Sequence, residues 1–113
     1  MVNVLVIGAS GLFGSCLFRH LAGISHLQVT GTVRGAKGTY GALTEFDSKL
    51  LYGIELTNSS KLELLVSKLN PDFIVNCAGE TPRAGVVIDE GALVSANSTL
   101  PHQLAHIALK YNA

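Results

Sequence analysis

The sequence feature that most constrains the fold is a strand that runs directly into a glycine-rich turn and then into a helix. Residues 2–7 form an apolar, β-branched run, as in a strand buried on both faces of a parallel sheet. The turn after it reads Gly8-Ala9-Ser10-Gly11-Leu12-Phe13-Gly14. A pyrophosphate needs backbone N–H groups at close range and the positive end of a helix dipole, and such a turn supplies both. The pattern therefore predicts a dinucleotide-binding loop, and a tight turn without a ligand is the less favoured alternative.

Each glycine of this loop has its own expected role. Gly8 permits the sharp turn, Gly11 lets the phosphates approach the backbone, and Gly14 lets the helix pack against the strand. The spacing is G-x-x-G-x-x-G, which differs from the G-x-G-x-x-G of most dehydrogenases. The predicted cofactor site takes in three further residues of the loop, Ser10, Leu12 and Phe13.

Predicted strands and helices alternate along the rest of the chain. We predict strands at residues 27–33, 51–56 and 72–76, and helices at residues 12–22, 60–69 and 92–111. The glycine-containing segment 35–49 is predicted to be a loop or an irregular excursion. Segment 79–91 is predicted to be a loop, and its Arg83 could meet a substrate phosphate but is a surface arginine by default.

The ends of these helices carry recognisable signals. Gly23 stands where a glycine would end the first helix. Ser60 and Glu63 fit a capping box at the start of the second helix, and Asn70-Pro71 is expected to end it. No cap is evident at the end of the last helix.

This alternation demands parallel strands with right-handed crossovers, and therefore helices on both faces of the sheet. We predict an α/β fold, the first half of a doubly wound parallel sheet with strand order 3-2-1-4 and three α/β/α layers. Residues 1–113 leave room for one dinucleotide-binding domain.

Composition narrows the possible partners and compartments. The formal net charge is zero, so no electrostatic footprint for nucleic acid or an anionic membrane is present. No apolar run approaches a membrane-spanning length and no basic n-region opens the chain, so a cytoplasmic location is expected. Cys16 and Cys77 lie in segments that we expect to be buried, and are predicted to be free thiols. His102 and His106 lack a third ligand, and no metal site is predicted.

The second predicted strand indicates which nicotinamide cofactor is bound. A site that prefers NAD places Asp or Glu at the end of this strand, to hold the ribose 2′-hydroxyl. Here the strand contains no acid and Arg34 stands at its end, where a guanidinium could pair with a 2′-phosphate. Lys37 is a candidate second cation. We therefore favour NADP(H), against the alternative of an ordinary solvated arginine.

The last predicted helix contains a polar residue and a proline at a revealing spacing. Asn97 falls on its apolar stripe, and an amide that faces the sheet must find hydrogen-bond partners. Pro101 lacks the N–H that would bond the carbonyl of Asn97. Either the helix bends and this carbonyl takes another partner such as water, or a new helix starts at Pro101 after a loose turn. Both alternatives stay open on the residues alone.

Together these motifs resemble the extended short-chain dehydrogenase/reductase superfamily. The glycine loop matches its signature, and Asn76-Cys77-Ala78-Gly79 matches its usual N-A-A-G. The resemblance implies that these four residues, with Glu55 and Leu56 after the third strand, contact the cofactor. It also implies that the backbone carbonyl of Asn97 holds a water of the catalytic proton relay.

Within that superfamily, residues 56–76 look most like dTDP-4-dehydrorhamnose reductases, which reduce a 4-keto nucleotide sugar with a nicotinamide hydride. The resemblance implies a nucleotide-sugar substrate for the whole enzyme and allows a homodimer. Nucleotide-sugar epimerases and dehydratases share this half of the fold and remain alternatives.

The sequence departs from the family at the catalytic pair Tyr-x-x-x-Lys. Tyr40 is followed four residues later by Thr44, and Tyr52 by Leu56. We therefore expect this chain to be the N-terminal part of a longer reductase, inactive by itself. A non-catalytic module that senses NADP is the alternative.

Overall fold

The computed structural model describes residues 1–79 and 89–113 and shows one four-stranded parallel sheet. The strands are β1 (Val2–Ile7), β2 (Leu27–Thr32), β3 (Leu50–Leu51) and β4 (Phe73–Asn76). Their order is β3-β2-β1-β4, and every neighbouring pair is parallel. The predicted doubly wound α/β fold with strand order 3-2-1-4 is confirmed. Most of the predicted loop 79–91, including Arg83, lies outside the described residues.

Helical segments connect these strands. They are α1 (Leu12–Ala22), a 3₁₀ segment (Gly41–Lys49), α2 (Ser59–Leu69), α3 (Glu90–Val94), a π-helical turn (Ser95–Thr99) and α4 (Leu100–Tyr111). None of the helices in the described part of the chain is long and apolar enough to cross a membrane.

The central strand β1 divides the hydrophobic core into two layers. Because successive side chains of a strand point to opposite faces, Val4 and Val6 pack on the side of α1, whereas Leu5 and Ile7 pack on the side of α2 and α4. All four side chains are buried. The sheet is therefore covered on both faces, as the continuous apolar character of this strand predicts.

The third strand is shorter than the sequence predicts. Only Leu50 and Leu51 pair with β2, whereas a strand over residues 51–56 was expected. Gly53 has a φ of +67°, in the left-handed region, and this turns the chain out of the sheet direction.

The segment 35–49 is more ordered than the predicted loop. Residues 41–49 form 3₁₀ turns with a kink at Phe46, where a loop or an irregular excursion was predicted. Leu43 from these turns is buried in the core, and the ring of Phe46 meets the ring of Phe18 edge-on, with centroids 5.6 Å apart. These apolar anchors hold the segment against α1.

The helix ends correct two predictions and confirm two. Asn58, not Ser60, caps α2, and its side-chain oxygen accepts a hydrogen bond of 3.1 Å from the Lys61 N–H. Asparagine is as good a cap as serine, and its position lets the helix start at Ser59, one residue before the predicted start. Gly23 ends α1 as predicted, with ordinary right-handed geometry. Asn112 caps α4 in the left-handed conformation, so the expectation of an uncapped end is wrong. Asn70 ends α2 as predicted, with a φ of 45°.

Candidate functional site

A cavity of about 590 Å³ opens at the carboxyl ends of β1, β2 and β4. This is the edge of an open parallel sheet where ligands bind, beside the point at which the strand order reverses between β1 and β4. Its volume lies in the range of small-molecule sites. The predicted cofactor residues that line it are Gly8, Ser10, Gly11, Arg34, Glu55, Leu56, Cys77, Ala78 and Gly79. The structure thus brings together residues that lie far apart in the sequence.

Close backbone contacts shape the glycine loop. Gly8 has a φ of +78°, which gives the predicted sharp turn, and a β-carbon added there would lie 2.8 Å from the backbone nitrogen of Ala78. A β-carbon at Gly14 would overlap the carbonyl oxygen of Gly8 and lie 3.1 Å from the β-carbon of Cys77. The start of α1 therefore packs directly on the ends of β1 and β4, where no side chain would fit.

The N-terminus of α1 lies at the cavity, because Ser10 and Gly11 line its wall. Gly11 is the N-cap, no side chain caps the helix, and the first turn carries no acidic residue. A β-carbon at Gly11 would meet no described atom closer than 3.9 Å, so the approach to this backbone is open. The first N–H groups of a helix have no partner within it and, with the helix dipole, favour an anion. The residues present therefore fit the pyrophosphate of a dinucleotide.

Leu12 and Phe13 stand apart from the cavity wall. Their side chains are 96% and 73% exposed, and neither residue lines the cavity. Leu12 and Phe13 can therefore contribute to this site through their backbone N–H groups and not through their side chains.

Thr32 is a site residue that the sequence analysis missed. Its hydroxyl oxygen accepts a hydrogen bond of 3.2 Å from the Gly8 N–H, and its carbonyl accepts one of 2.9 Å from the Ala9 N–H. Thr32 is 1% exposed and lines the cavity. It ties the end of β2 to the start of the glycine loop. The signal was available, because a hydroxyl in a buried strand must find a hydrogen-bond partner.

The two cations predicted after β2 lie in different places. Arg34 is exposed and lines the cavity. Lys37 does not line it, and its Nζ lies 3.8 Å from a carboxylate oxygen of Asp47. Among the described lining residues, Arg34 is the one lysine or arginine, and Glu55 and Asp89 are the carboxylates. Of the two predicted cations, Arg34 therefore lies in the cavity wall and Lys37 lies outside it.

A side-chain hydrogen bond shapes the chain directly after β4. The side-chain oxygen of Asn76 accepts a hydrogen bond of 3.1 Å from the Ala78 N–H, so Asn76 shapes the turn without lining the cavity. Cys77 is half-buried in the wall, and burial raises the pKa of its thiol. Cys16 is exposed, and the expectation that it is buried is wrong.

Both cysteines are free thiols, as predicted. Elsewhere in the cavity lining, the Thr57 hydroxyl donates a hydrogen bond of 3.4 Å to a carboxylate oxygen of Glu55.

The last helix accommodates Pro101 through a π-helical turn. The Leu100 N–H donates to the carbonyl of Ser95, five residues earlier, and the backbone stays helical throughout. The loose turn considered as an alternative is therefore wrong, although Pro101 does lie in the first turn of α4. Asn97 is exposed and does not face the sheet as predicted. The wider π-helical turn rotates it away from the apolar face of the helix, on which Leu100 is buried.

Asn97 nevertheless reaches the end of β4. A β-carbon added to Gly79 would lie 3.1 Å from the side-chain oxygen of Asn97. The residue before it, Ala96, lines the cavity together with Ser95 and Thr99. The π-helical turn thus sits at the rim of the cavity, as π-turns often do at functional sites.

Comparison with known proteins identifies the family. The model of the NAD dependent epimerase/dehydratase family matches residues 4–113, and the chain belongs to this family. The probable low-salt glycan biosynthesis reductase Agl14 of Haloferax volcanii is 28% identical over 102 residues, which cover 90% of this chain and 31% of that protein.

Solved structures share the fold at lower identity. The Bordetella bronchiseptica enzyme WbmH, in complex with NAD+, matches with a TM-score of 0.78 and 21% identity, over 99% of this chain and 36% of that chain. The UDP-Glc/GlcNAc 4-epimerase of Campylobacter jejuni matches with a TM-score of 0.79 and 17% identity, over 99% and 35%. The chain spans about a third of the length of these relatives.

Proposed function

We propose that this chain is the dinucleotide-binding part of an NADP-dependent reductase that acts on a 4-keto nucleotide sugar. The observation that carries the proposal is the uncapped N-terminus of α1, whose glycine loop forms one wall of the cavity at the strand ends. A helix N-terminus with an open backbone is a ready site for a pyrophosphate. The match of residues 4–113 to an NAD dependent family supports the same ligand class.

The preference for NADP(H) rests on the end of β2. This strand contains no acidic residue that could hold a ribose 2′-hydroxyl, and Arg34 follows it in the cavity wall. A planar guanidinium can bind a phosphate through two parallel hydrogen bonds. A dinucleotide with a 2′-phosphate at this position therefore gains an interaction that NADH cannot make.

The reductase assignment is supported by the sequence relative that is itself named a reductase. A bound nicotinamide would supply the hydride for reduction of the sugar carbonyl. In this scheme the residues of this chain hold the dinucleotide, and the carbonyl of Asn97 orients a water of the proton relay. A tyrosine and lysine beyond this sequence complete the site.

An epimerase is the second candidate, because one of the structural relatives is a nucleotide-sugar 4-epimerase. The experiment supplies NADPH and a dTDP-4-keto sugar to a protein that contains this chain and a Tyr-x-x-x-Lys pair. A reductase consumes one NADPH for each sugar reduced, measured by the loss of NADPH absorbance. A parallel assay supplies NAD+ and a nucleotide sugar that carries a 4-hydroxyl group. Interconversion of its C4 epimers without net change of the dinucleotide favours the epimerase, and dinucleotide binding without either reaction favours a sensing module.

A further inference from the structure

The backbone on both sides of Arg34 is held against the chain that follows β3. Val33 donates to the carbonyl of residue 51 at 2.9 Å and accepts from the N–H of residue 54 at 3.0 Å. The carbonyl of Gly35 accepts from the N–H of residue 53 at 3.0 Å. The path of the chain through Arg34 is therefore fixed by hydrogen bonds, although β2 itself ends at Thr32.

The N–H of Gly35 is held by a side chain instead. It donates a hydrogen bond of 2.7 Å to the hydroxyl oxygen of Tyr40. This N–H belongs to the peptide plane that joins Arg34 to Gly35, so the hydrogen bond restrains the ψ angle of Arg34. A β-carbon on Gly35 would lie 2.5 Å from the same oxygen, and the close approach therefore requires glycine.

Tyr40 itself has a firm base. Its ring packs against the hydrophobic cluster on the α1 side of the sheet, and its carbonyl accepts a hydrogen bond of 2.9 Å from the Leu43 N–H at the start of the 3₁₀ segment. Leu43 is buried in the same cluster. The hydroxyl that meets Gly35 is thus carried by a side chain anchored at both its ring and its backbone.

We propose that Tyr40 is a positioning residue that orients Arg34 and thereby sets the selectivity for a dinucleotide with a 2′-phosphate. Both residues line the same cavity. The inference rests on the proposed function and deepens it, because it assigns the cofactor preference to a pair of residues and not to Arg34 alone.

The expected signature is a loss confined to the phosphorylated cofactor. Without the Tyr40 hydroxyl, the Gly35 N–H hydrogen-bonds to water instead, and the backbone at Arg34 samples more conformations. Binding a 2′-phosphate must then order a less restrained guanidinium, and that ordering costs affinity. The pyrophosphate and the nicotinamide are held elsewhere, so the affinity for NADH does not depend on this hydrogen bond.

The test is the Tyr40→Phe variant, with NADPH and NADH titrated by calorimetry. The variant is expected to bind NADPH roughly threefold to tenfold more weakly, as for one lost hydrogen bond, with NADH affinity unchanged. Tyr52→Phe is the matched control, because the Tyr52 hydroxyl donates to Asp47 and Tyr52 does not line the cavity. This control is expected to keep the preference of the wild type.

A second variant, Gly35→Ala, and two smaller ligands test the same hydrogen bond independently. Gly35→Ala pushes a β-carbon against the Tyr40 hydroxyl and should give the same selective loss, and thermal melts show whether each variant is folded. Adenosine 2′,5′-bisphosphate and 5′-AMP repeat the comparison without the nicotinamide.

If Tyr40→Phe binds NADPH and NADH with the same ratio of affinities as the wild type, including an equal loss for both, the role of Tyr40 is wrong. The proposed function is not affected by that result. A wild type that binds neither dinucleotide contradicts the proposed function and the inference with it.

Discussion

The hydroxyl oxygen of Thr32 accepts a hydrogen bond from the Gly8 N–H across 3.2 Å, and so joins the end of β2 to the first residue of the glycine loop. The carbonyl of the same threonine accepts from the Ala9 N–H at 2.9 Å. Two consecutive N–H groups of the loop are thus fixed by one residue of the neighbouring strand. The shape of the loop depends on the sheet and not only on its glycines.

Replacing this threonine tests that dependence. Thr32→Val keeps the shape of the side chain but leaves the Gly8 N–H without its acceptor, which costs about 1–3 kcal/mol of folding free energy. The displaced loop should bind NADPH and NADH more weakly by the same factor, since both share the pyrophosphate. Thr30→Val is the control, because Thr30 is half-buried on the same strand and does not line the cavity. An unchanged affinity for both cofactors in Thr32→Val would contradict this role.

Alanine substitutions at two glycines of the loop are expected to have different effects on stability and on NADPH binding. Gly14→Ala places a β-carbon onto the carbonyl oxygen of Gly8 and should destabilise the fold by about 3 kcal/mol or more. Gly11→Ala has open space and should melt close to the wild type, but its methyl group obstructs the phosphates and weakens NADPH binding. Thermal melts and titrations of both variants measure this separation. Equal melting temperatures for the two variants would show that the packing at Gly14 is not needed.

The two cysteines provide a footprint of the cavity. Cys77 lines the wall and burial raises the pKa of its thiol, so it should alkylate slowly, because the thiolate is the reactive form. Cys16 is exposed on α1 and serves as the internal control. Mass spectrometry after iodoacetamide treatment is expected to show NADPH protecting Cys77 and leaving Cys16 unaffected. Protection of both or of neither would place the dinucleotide elsewhere.

The packing of α2 on α4 should depend on pH. A carboxylate oxygen of Glu63 accepts hydrogen bonds from Lys110 at 2.5 Å and from Tyr111 at 3.0 Å, and these lower its pKa from 4.5. This stabilisation is present above 4.5, the value of the unfolded chain, and is lost as the pH falls through the lowered pKa of the folded chain. Glu63→Gln should therefore melt below the wild type at neutral pH, with the difference shrinking in acid.

Glu45→Gln is the matched control for that pH series, because Glu45 is an exposed glutamate of the 3₁₀ segment. Its melting temperature should follow the wild type throughout. A Glu63→Gln difference that stays constant from neutral to acidic pH would exclude the ionised carboxylate as its source.

The fold was predictable from the sequence where one local signal decides the structure. The apolar run of β1, the glycines of the loop and the stop at Asn70 each act within a few residues. The 3₁₀ segment was not predictable in this way, because what orders it is the packing of Phe46 on Phe18, far apart in the sequence. Likewise β3 ends early because Gly53 takes a left-handed conformation, which periodicity alone does not reveal.

The candidate site shows the same division. The spacing of Pro101 and Asn97 predicted an irregular helix, but only the structure shows the π-helical turn that moves Asn97 to the surface. Lys37 was a candidate second cation beside Arg34, and its ion pair with Asp47, which holds it outside the cavity wall, depends on the folding of residues 41–49. Tertiary contacts of this kind are invisible to a local pattern.

The most direct test of the proposed site is a titration of NADPH and NADH into the wild type, Arg34→Ala and Lys37→Ala. The wild type is expected to prefer NADPH. Arg34→Ala should weaken NADPH binding by about 1.5–3 kcal/mol, tenfold to a hundredfold, without affecting NADH, as for a charged hydrogen bond. Lys37→Ala, a cation that pairs with Asp47 outside the cavity, should change neither. Equal affinities for NADPH and NADH in the wild type would contradict the NADP assignment, and no binding of either would contradict the site itself.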